Sequence, residues 1–341
     1  MTFTKNGFGI TTSDDCQDGI AMLGEAGGDF RINMQQCSYP ITRTRKVGVD
    51  DTITEVEHVL LDAWVPTRAD TGEAISSRTV GEGFTVFDNH DAVELVNTIC
   101  REHSLRFAFM AVLNGGAGLA MQVECPDLTD ALMIGGDAHK GFLTIITAHD
   151  GSASLRVTPT LIRMMCKNRL PALKRENTAK SKTGDAYLIR HSRRMEDRIS
   201  DMIGAYREAM GHMIETGDRL RLLSTKRITA TEQNELWDRV IAAGGQDEGE
   251  LSKRAQTQRA NKLEAIRMLS LAPENQPADA ALHGTFYHAL QPLTAYGTRG
   301  IATRDRGTVG EQERRWTSAN TGAGAAFSLR ALEVACEMAG V

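Results

Sequence analysis

The chain has 341 residues, 41% of them apolar and 24% charged, with 8 prolines and a formal net charge of -5. That composition excludes a peptide, a small disulfide-stapled module and disorder throughout, and a prior of roughly 100 to 200 residues per domain suggests two units. No apolar run approaches the roughly 18 to 20 residues of a membrane helix, and the start of the chain lacks a basic-then-apolar leader, so the expectation is a cytoplasmic protein.

In chain order, residues 1–30 are polar and glycine-rich and read as an interaction arm. β-Favouring runs follow near 31–38 and 53–66, interleaved with acids and threonines as in an exposed antiparallel layer. Asp70-Thr-Gly72 is a turn signal that leads to a short strand at 74–79. Asp88 predicts a helix N-cap, and Val93, Leu95, Val96, Ile99 and Cys100 form an apolar stripe running to about His103. Leu105 to Leu113 and Leu119 to Glu124 flank the turn Asn114-Gly115-Gly116, and Phe142 to His149 and Ser152 to Val157 flank Asp150-Gly151.

Thr158 followed by Pro159 predicts a helix start, with Leu161, Ile162, Met164 and Met165 in a short helix ending before Pro171. From Leu170 to Tyr187 the sequence turns polar and basic, as in a loop that closes on an anionic ligand. Helical periodicity then runs through 195–223, 231–243, 250–271, 279–296 and 325–339. The predicted fold is therefore α+β: an antiparallel sheet with a packed helix, followed by a helical C-terminal region. Its predicted units are 1–52, an N-terminal arm with strands; 53–195, the core with the basic segment; and 196–341, the helical region.

Charge is segregated along the chain. Residues 1–150 carry 10 basic and 22 acidic side chains, whereas 151–194 carry 11 basic ones (Arg156, Arg163, Lys167, Arg169, Lys174, Arg175, Lys180, Lys182, Arg190, Arg193 and Arg194) against Glu176 and Asp185. A concentrated positive segment is the footprint of a phosphate-binding surface, because neutralised phosphates release counterions. Two other readings stand beside it: pairing with the acidic N-terminal block within or between subunits, and plain solvation. Tyr187 is the one aromatic between 151 and 194, so contact would be to backbone phosphate rather than to bases. Arg299, Arg304, Arg306, Arg314, Arg315 and Trp316 form a second basic cluster, diluted by Asp305, Glu311 and Glu313.

Other chemistry is sparse. The six cysteines lack CxxC spacing and the nine histidines lack HxxxH, so neither a metal nor a cofactor is expected. Gly115-Gly116-Ala117-Gly118 and Gly322-Ala323-Gly324 do not fit phosphate-binding patterns and read as turns or caps. His149-Asp150 reads as part of a hairpin turn, Cys166 as a buried packing residue and the methionines at 195, 202, 210 and 213 as core filling. No catalytic motif emerges, and an enzyme using His149, Asp150 or Cys166 is the least favoured class.

The run Phe142 to Ser152, containing His149-Asp150-Gly151-Ser152, followed by Arg163, Cys166 and Asn168, resembles the phage- and plasmid-encoded family of domain of unknown function 932. That family has a His-Asp-Gly-Ser turn and then an Arg-Val-Val-Cys-Asn-Asn helix, and Lys167 stands where its first asparagine usually is. Ile189 to Ser192 is similar to its Arg-His-Thr element, and 296–307 and 322–333 to its closing segment; the Trp-His-Gly-Leu-Gly element of many members is missing. The resemblance covers about residues 70–338. It implies a mobile-element protein with no assigned enzymatic activity, whose order of hairpins, helix and basic segment is similar to phage single-strand annealing recombinases.

These readings together predict a non-enzymatic phage or plasmid DNA-metabolism protein that binds single-stranded DNA through the eleven basic residues, possessing strand-annealing or recombination activity as a homo-oligomer. The alternative is an assembly protein whose acidic and basic parts meet between copies without nucleic acid.

Overall fold

The structure, a computed structural model, describes residues 2–6, 8–12, 16–46, 52–128, 132–172, 187–189, 191, 195–242, 252–301 and 310–341. It opens with β1 (Phe3–Asn6), β2 (Gly9–Thr12) and the short α1 (Ile20–Glu25), followed by β3 (Ile32–Lys46), β4 (Thr52–Arg68) and α2 (Asn89–His103). Then come β5 (Arg106–Leu113), β6 (Gly118–Cys125), β7 (Met133–Ile134), β8 (Asp137–Ala148), β9 (Leu155–Arg163), β10 (Arg169–Pro171) and β11 (Tyr187–Ile189). The C-terminal half holds α3 (Met195–Thr225), α4 (Ala230–Ala242), α5 (Lys253–Leu271), α6 (Phe286–Ala295), α7 (Glu311–Thr321) and α8 (Ala323–Ala339). The fold is α+β, as the sequence predicts.

One antiparallel sheet runs in the order β1-β2-β5-β6-β8-β9-β10, with β11 also on β9 and β7 on β8. Alternation assigns its two faces. Leu119, Met121 and Val123 of β6, Leu143 and Ile145 of β8, and Leu155, Val157 and Leu161 of β9 enter the main apolar core. Val96 and Ile99 of α2 and Tyr206 of α3 close over Val123, Leu143, Ile145 and Val157. The Asp88 cap is real: its carboxylate accepts from the His90 N–H at 2.8 Å, and Ser104 ends α2 in the left-handed region. The opposite face carries a smaller cluster of Phe109, Ala111, Leu113, Ala120 and Ile146 beneath Trp316 of α7.

The expected helix after Thr158 is a strand. Leu155–Arg163 pairs with β8 over its length, while β10 and β11 share its other edge, at residues 160–162 and 155–157 respectively. Pro159 sits between those two partners, where its missing N–H breaks no long ladder, and its carbonyl accepts from the Ala172 N–H. The β-branched Val157, Thr158, Thr160 and Ile162 favour the pleated surface, and this tertiary pairing overrides the local helix-start signal. The segment 164–168 is then a tight turn, closed by Lys167 N–H to Arg163 O at 2.9 Å with Lys167 at φ 57°.

β3 and β4 form a separate two-stranded ribbon, paired from Ile32↔Arg68 out to Lys46↔Thr52. At about 3.3 Å per residue it is roughly 50 Å long. Among the described residues only its base is covered: Trp64 and Val80 exchange backbone bonds, and Arg68 and Pro66 bond to the 73–75 segment. Beyond the base, the side chains on both faces are mostly exposed.

Candidate nucleic-acid interface

The interface begins on β9. Because β10 and β11 pair with one edge of that strand, the chain leaves the sheet after Pro171, opposite Thr160, and returns at Tyr187, opposite Val157. Three residues of strand separate exit and return, about 10 Å. Lys174, Arg175, Lys180 and Lys182 belong to this excursion; with Arg190, Arg193 and Arg194 they lie outside the described residues. Arg156, Arg163, Lys167 and Arg169 are described, and their environments differ.

Arg163 is turned inward. Its guanidinium is 2% exposed and lies 2.8 Å from Asp137, which is 1% exposed. Further bonds run from Arg163 to Gln276 O at 2.6 Å and Glu274 O at 3.3 Å, and from the Tyr287 hydroxyl to Asp137 at 2.9 Å. A guanidinium so engaged is committed to joining β8 and β9 to the helical region and has no free edge for a phosphate. Its neighbours in the turn act likewise. The Asn168 amide donates to Asn275 Oδ1 and Gln291 O, each at 3.2 Å, and Cys166, buried, accepts weakly from Arg163 at 3.6 Å and gives its carbonyl to Arg299 at 2.6 Å. Sequence reasoning missed Asp137, Tyr287 and Asn275, whose partners lie 26 to over 100 residues away; the Arg-Cys-Asn pattern was the available signal.

Arg156 and Arg169 reach the end of α7 on the second sheet face. Arg156 donates to Thr321 O at 3.1 Å, where a cation complements the helix C-terminus. Arg169 donates to Asn320 Oδ1 at 3.0 Å and lies 5.8 Å from the centre of the Trp316 ring. No ion pair joins Arg169 to an acid among the described residues, and burial pulls its pKa down to about 10. It is a desolvated positive charge close to the ends of the basic segment. Lys167, at the turn, is exposed.

The His149-Asp150 pair is architectural. His149 is buried and its Nε2 lies 2.8 Å from Asn89 Oδ1; because the Asn89 amide donates to Gly28 O, that oxygen is the acceptor and Nε2 carries the proton. Burial, then the neighbouring His191, push the His149 pKa down to about 4, so the ring is neutral. Burial would raise the Asp150 carboxyl, but bonds from Ser152 and Ser76 and the charge of Arg78 bring it below its ordinary value. Gly151 at φ 71° supplies the turn. His191 stacks on Phe84 at 5.1 Å and accepts from Thr147. No group of three His, Cys, Asp or Glu suited to a metal occurs among the described residues.

The sequence profile described as Domain of unknown function (DUF932) matches residues 77–319, more than two thirds of the chain. The chain belongs to that family. No curated protein and no solved structure matches it. The DUF932 match takes in the sheet from β5 onward, the basic segment, α2 to α6 and most of α7, and it begins beyond the β3–β4 ribbon. No described helix is long and apolar enough to cross a membrane.

Proposed function

We propose that this DUF932 protein binds single-stranded DNA in phage or plasmid DNA metabolism, through the basic excursion between β10 and β11. The observation that carries the reading is topological. A sequence rich in Lys and Arg joins β10 to β11, and both of those strands pair with one edge of β9. From Lys167 to Arg194 nine basic residues face two acids in the sequence. Arg169, desolvated and without an acid partner among the described residues, adds to the positive potential there. Arg163 takes no part, and Arg156 contributes less because it caps α7.

Contacts of this kind track phosphates and leave bases free to pair, which is the requirement for strand annealing or recombination. The test is fluorescence anisotropy of a labelled single-stranded oligonucleotide at two salt concentrations, with a matched duplex and a Lys174→Glu/Lys180→Glu/Lys182→Glu variant. Binding should fall steeply with salt, and the three reversals should lower the log-log salt slope by about 2, at roughly 0.7 per lost single-strand phosphate contact. A salt-independent affinity, or full affinity in the variant, overturns the proposal.

A further inference from the structure

The β3–β4 ribbon lies outside the family match and outside the apolar core, and its length needs a physical explanation. A two-stranded ribbon in water is marginal by itself, because nothing covers its faces or outer edges. This one also displays large apolar side chains: Leu60 is 65% exposed and Tyr39 62%, and Ile53, Val56, Val59 and Leu61 are each at least 40% exposed. They occupy both faces, since Tyr39 and Val59 are register partners on one and Ser38 and Leu60 on the other. No single apolar face is offered to the body of the protein.

The charges of the two strands are opposite. Residues 38–46 of β3 contain Arg43, Arg45 and Lys46 and no acid, whereas residues 52–63 of β4 contain Glu55, Glu57 and Asp62 and no lysine or arginine. Within the ribbon this pattern is already used: Arg43 faces Glu55 in register and forms an ion pair with Glu57 at 3.0 Å. The outer edge of each strand is left beside the same charges. Pairing β3 with β3 of another copy would set base against base, and β4 with β4 acid against acid. Only β3 against β4 of the next copy sets unlike charges side by side, and it repeats the register chemistry of the hairpin. Pro40 offers no N–H, so the pairing stretch is 41–46, a strand of ordinary length.

We propose that the ribbon docks on the ribbon of a second copy of this chain, the basic edge of β3 against the acidic edge of β4, building a head-to-tail oligomer. Each exposed apolar side chain then gains a lateral neighbour in a wider sheet. Such a contact is heterologous: it closes into a ring or runs on as a filament. It needs no nucleic acid and goes beyond the nucleic-acid reading. The sequence-based expectation of acidic and basic parts meeting between copies thereby takes a specific form, with the basic partner on β3 rather than in 151–194.

The test is mass measurement by light scattering, without nucleic acid, at about 50 µM, which reveals micromolar self-association. The intact chain should be larger than its 37.2 kDa monomer. A variant with residues 41–57 replaced by Asn-Gly, joining the register partners Pro40 and His58, should be monomeric with an unchanged melting temperature for the body. Arg43→Glu/Arg45→Glu and Glu55→Arg/Glu57→Arg chains should each dissociate, and mixing them should restore assembly, because the strands of one are acidic and those of the other basic. A monomeric intact chain, or an oligomer that survives loss of 41–57, overturns the proposal; a mixture that stays dissociated overturns the head-to-tail pairing. The excursion between β10 and β11 is untouched in all of these chains, so failure here is separate from failure of oligonucleotide binding.

Discussion

The guanidinium of Arg163 and the carboxylate of Asp137 lie 2.8 Å apart with almost no solvent access, and this pair ties the end of β9 to the start of β8 and to the helical region. Asp137 Oδ1 accepts from the Ala278 N–H at 3.0 Å while Oδ2 accepts from Arg163 and Tyr287, so the carboxylate is satisfied from three directions. Removing one partner strands the other charge in a dry site. Asp137→Ala should therefore cost about 3 to 5 kcal/mol in denaturant unfolding, and the joint Asp137→Leu/Arg163→Met change distinctly less. Equal losses in the two proteins would show that burial of the unpaired charge is not the cause.

Lys167 adopts a left-handed conformation that an L side chain enters at a cost of roughly 1 to 2 kcal/mol and that asparagine tolerates better. Lys167→Asn should raise stability by about 0.5 kcal/mol and, if Lys167 meets a phosphate, also reduce the log-log salt slope of oligonucleotide binding by about 0.7. Unfolding curves and salt titrations on one protein read both; a destabilised variant contradicts the backbone argument.

What was legible in the sequence was local. The Asp88 cap, the turns at Asn114-Gly115 and Asp150-Gly151 and the C-terminal helical periodicity all act within a few residues, and the structure has each of them. The strand was read correctly up to Val157, but 158–163 was misread because Thr158-Pro159 is a local helix signal, whereas the strand state of these residues is fixed by β8 and β10. α7 escaped notice for the reverse reason: between Glu311 and Thr321 the buried apolar side chains are only Trp316 and Ala319, too few to make a stripe. The charge of the basic segment was legible too, but not the inward turn of Arg163, since its acid is 26 residues back in the chain.

Two buried histidines set a pH dependence. His139, through burial and then the charge of Arg163, and His149, through burial and then His191, are both pushed down to about 4, against about 6.5 in the unfolded chain. The unfolded state therefore binds more protons between those values, and stability is whole above about pH 6.5 and is lost as the pH falls toward 4. At 1.4 kcal/mol per unit for each ring, the two together remove roughly 4 kcal/mol by pH 5. His191 and His288 are lowered in the same direction, and buried Glu313, raised by burial, opposes them. Urea midpoints measured from pH 7.5 to 5 should fall, with a shallower slope in His149→Gln; a flat profile would contradict neutral burial.

Asn320 gathers the second sheet face under α7. Its Oδ1 accepts from Arg169 at 3.0 Å, Gln122 at 3.3 Å and Thr144 at 3.4 Å, and its amide donates to Trp316 O at 2.7 Å. Asn320→Leu leaves the Gln122 and Arg169 donors without this acceptor and should cost about 2 to 4 kcal/mol. Asn320→Asp keeps the acceptor and supplies Arg169 with a counter-charge, while giving up the bond to Trp316. It should be the milder change at pH 7. Because that carboxylate also cancels the desolvated charge of Arg169, the folded Asn320→Asp protein should bind single-stranded oligonucleotide more weakly than the parent at low salt. Unchanged affinity would remove Arg169 from the interface and leave the excursion between β10 and β11 to carry the binding alone.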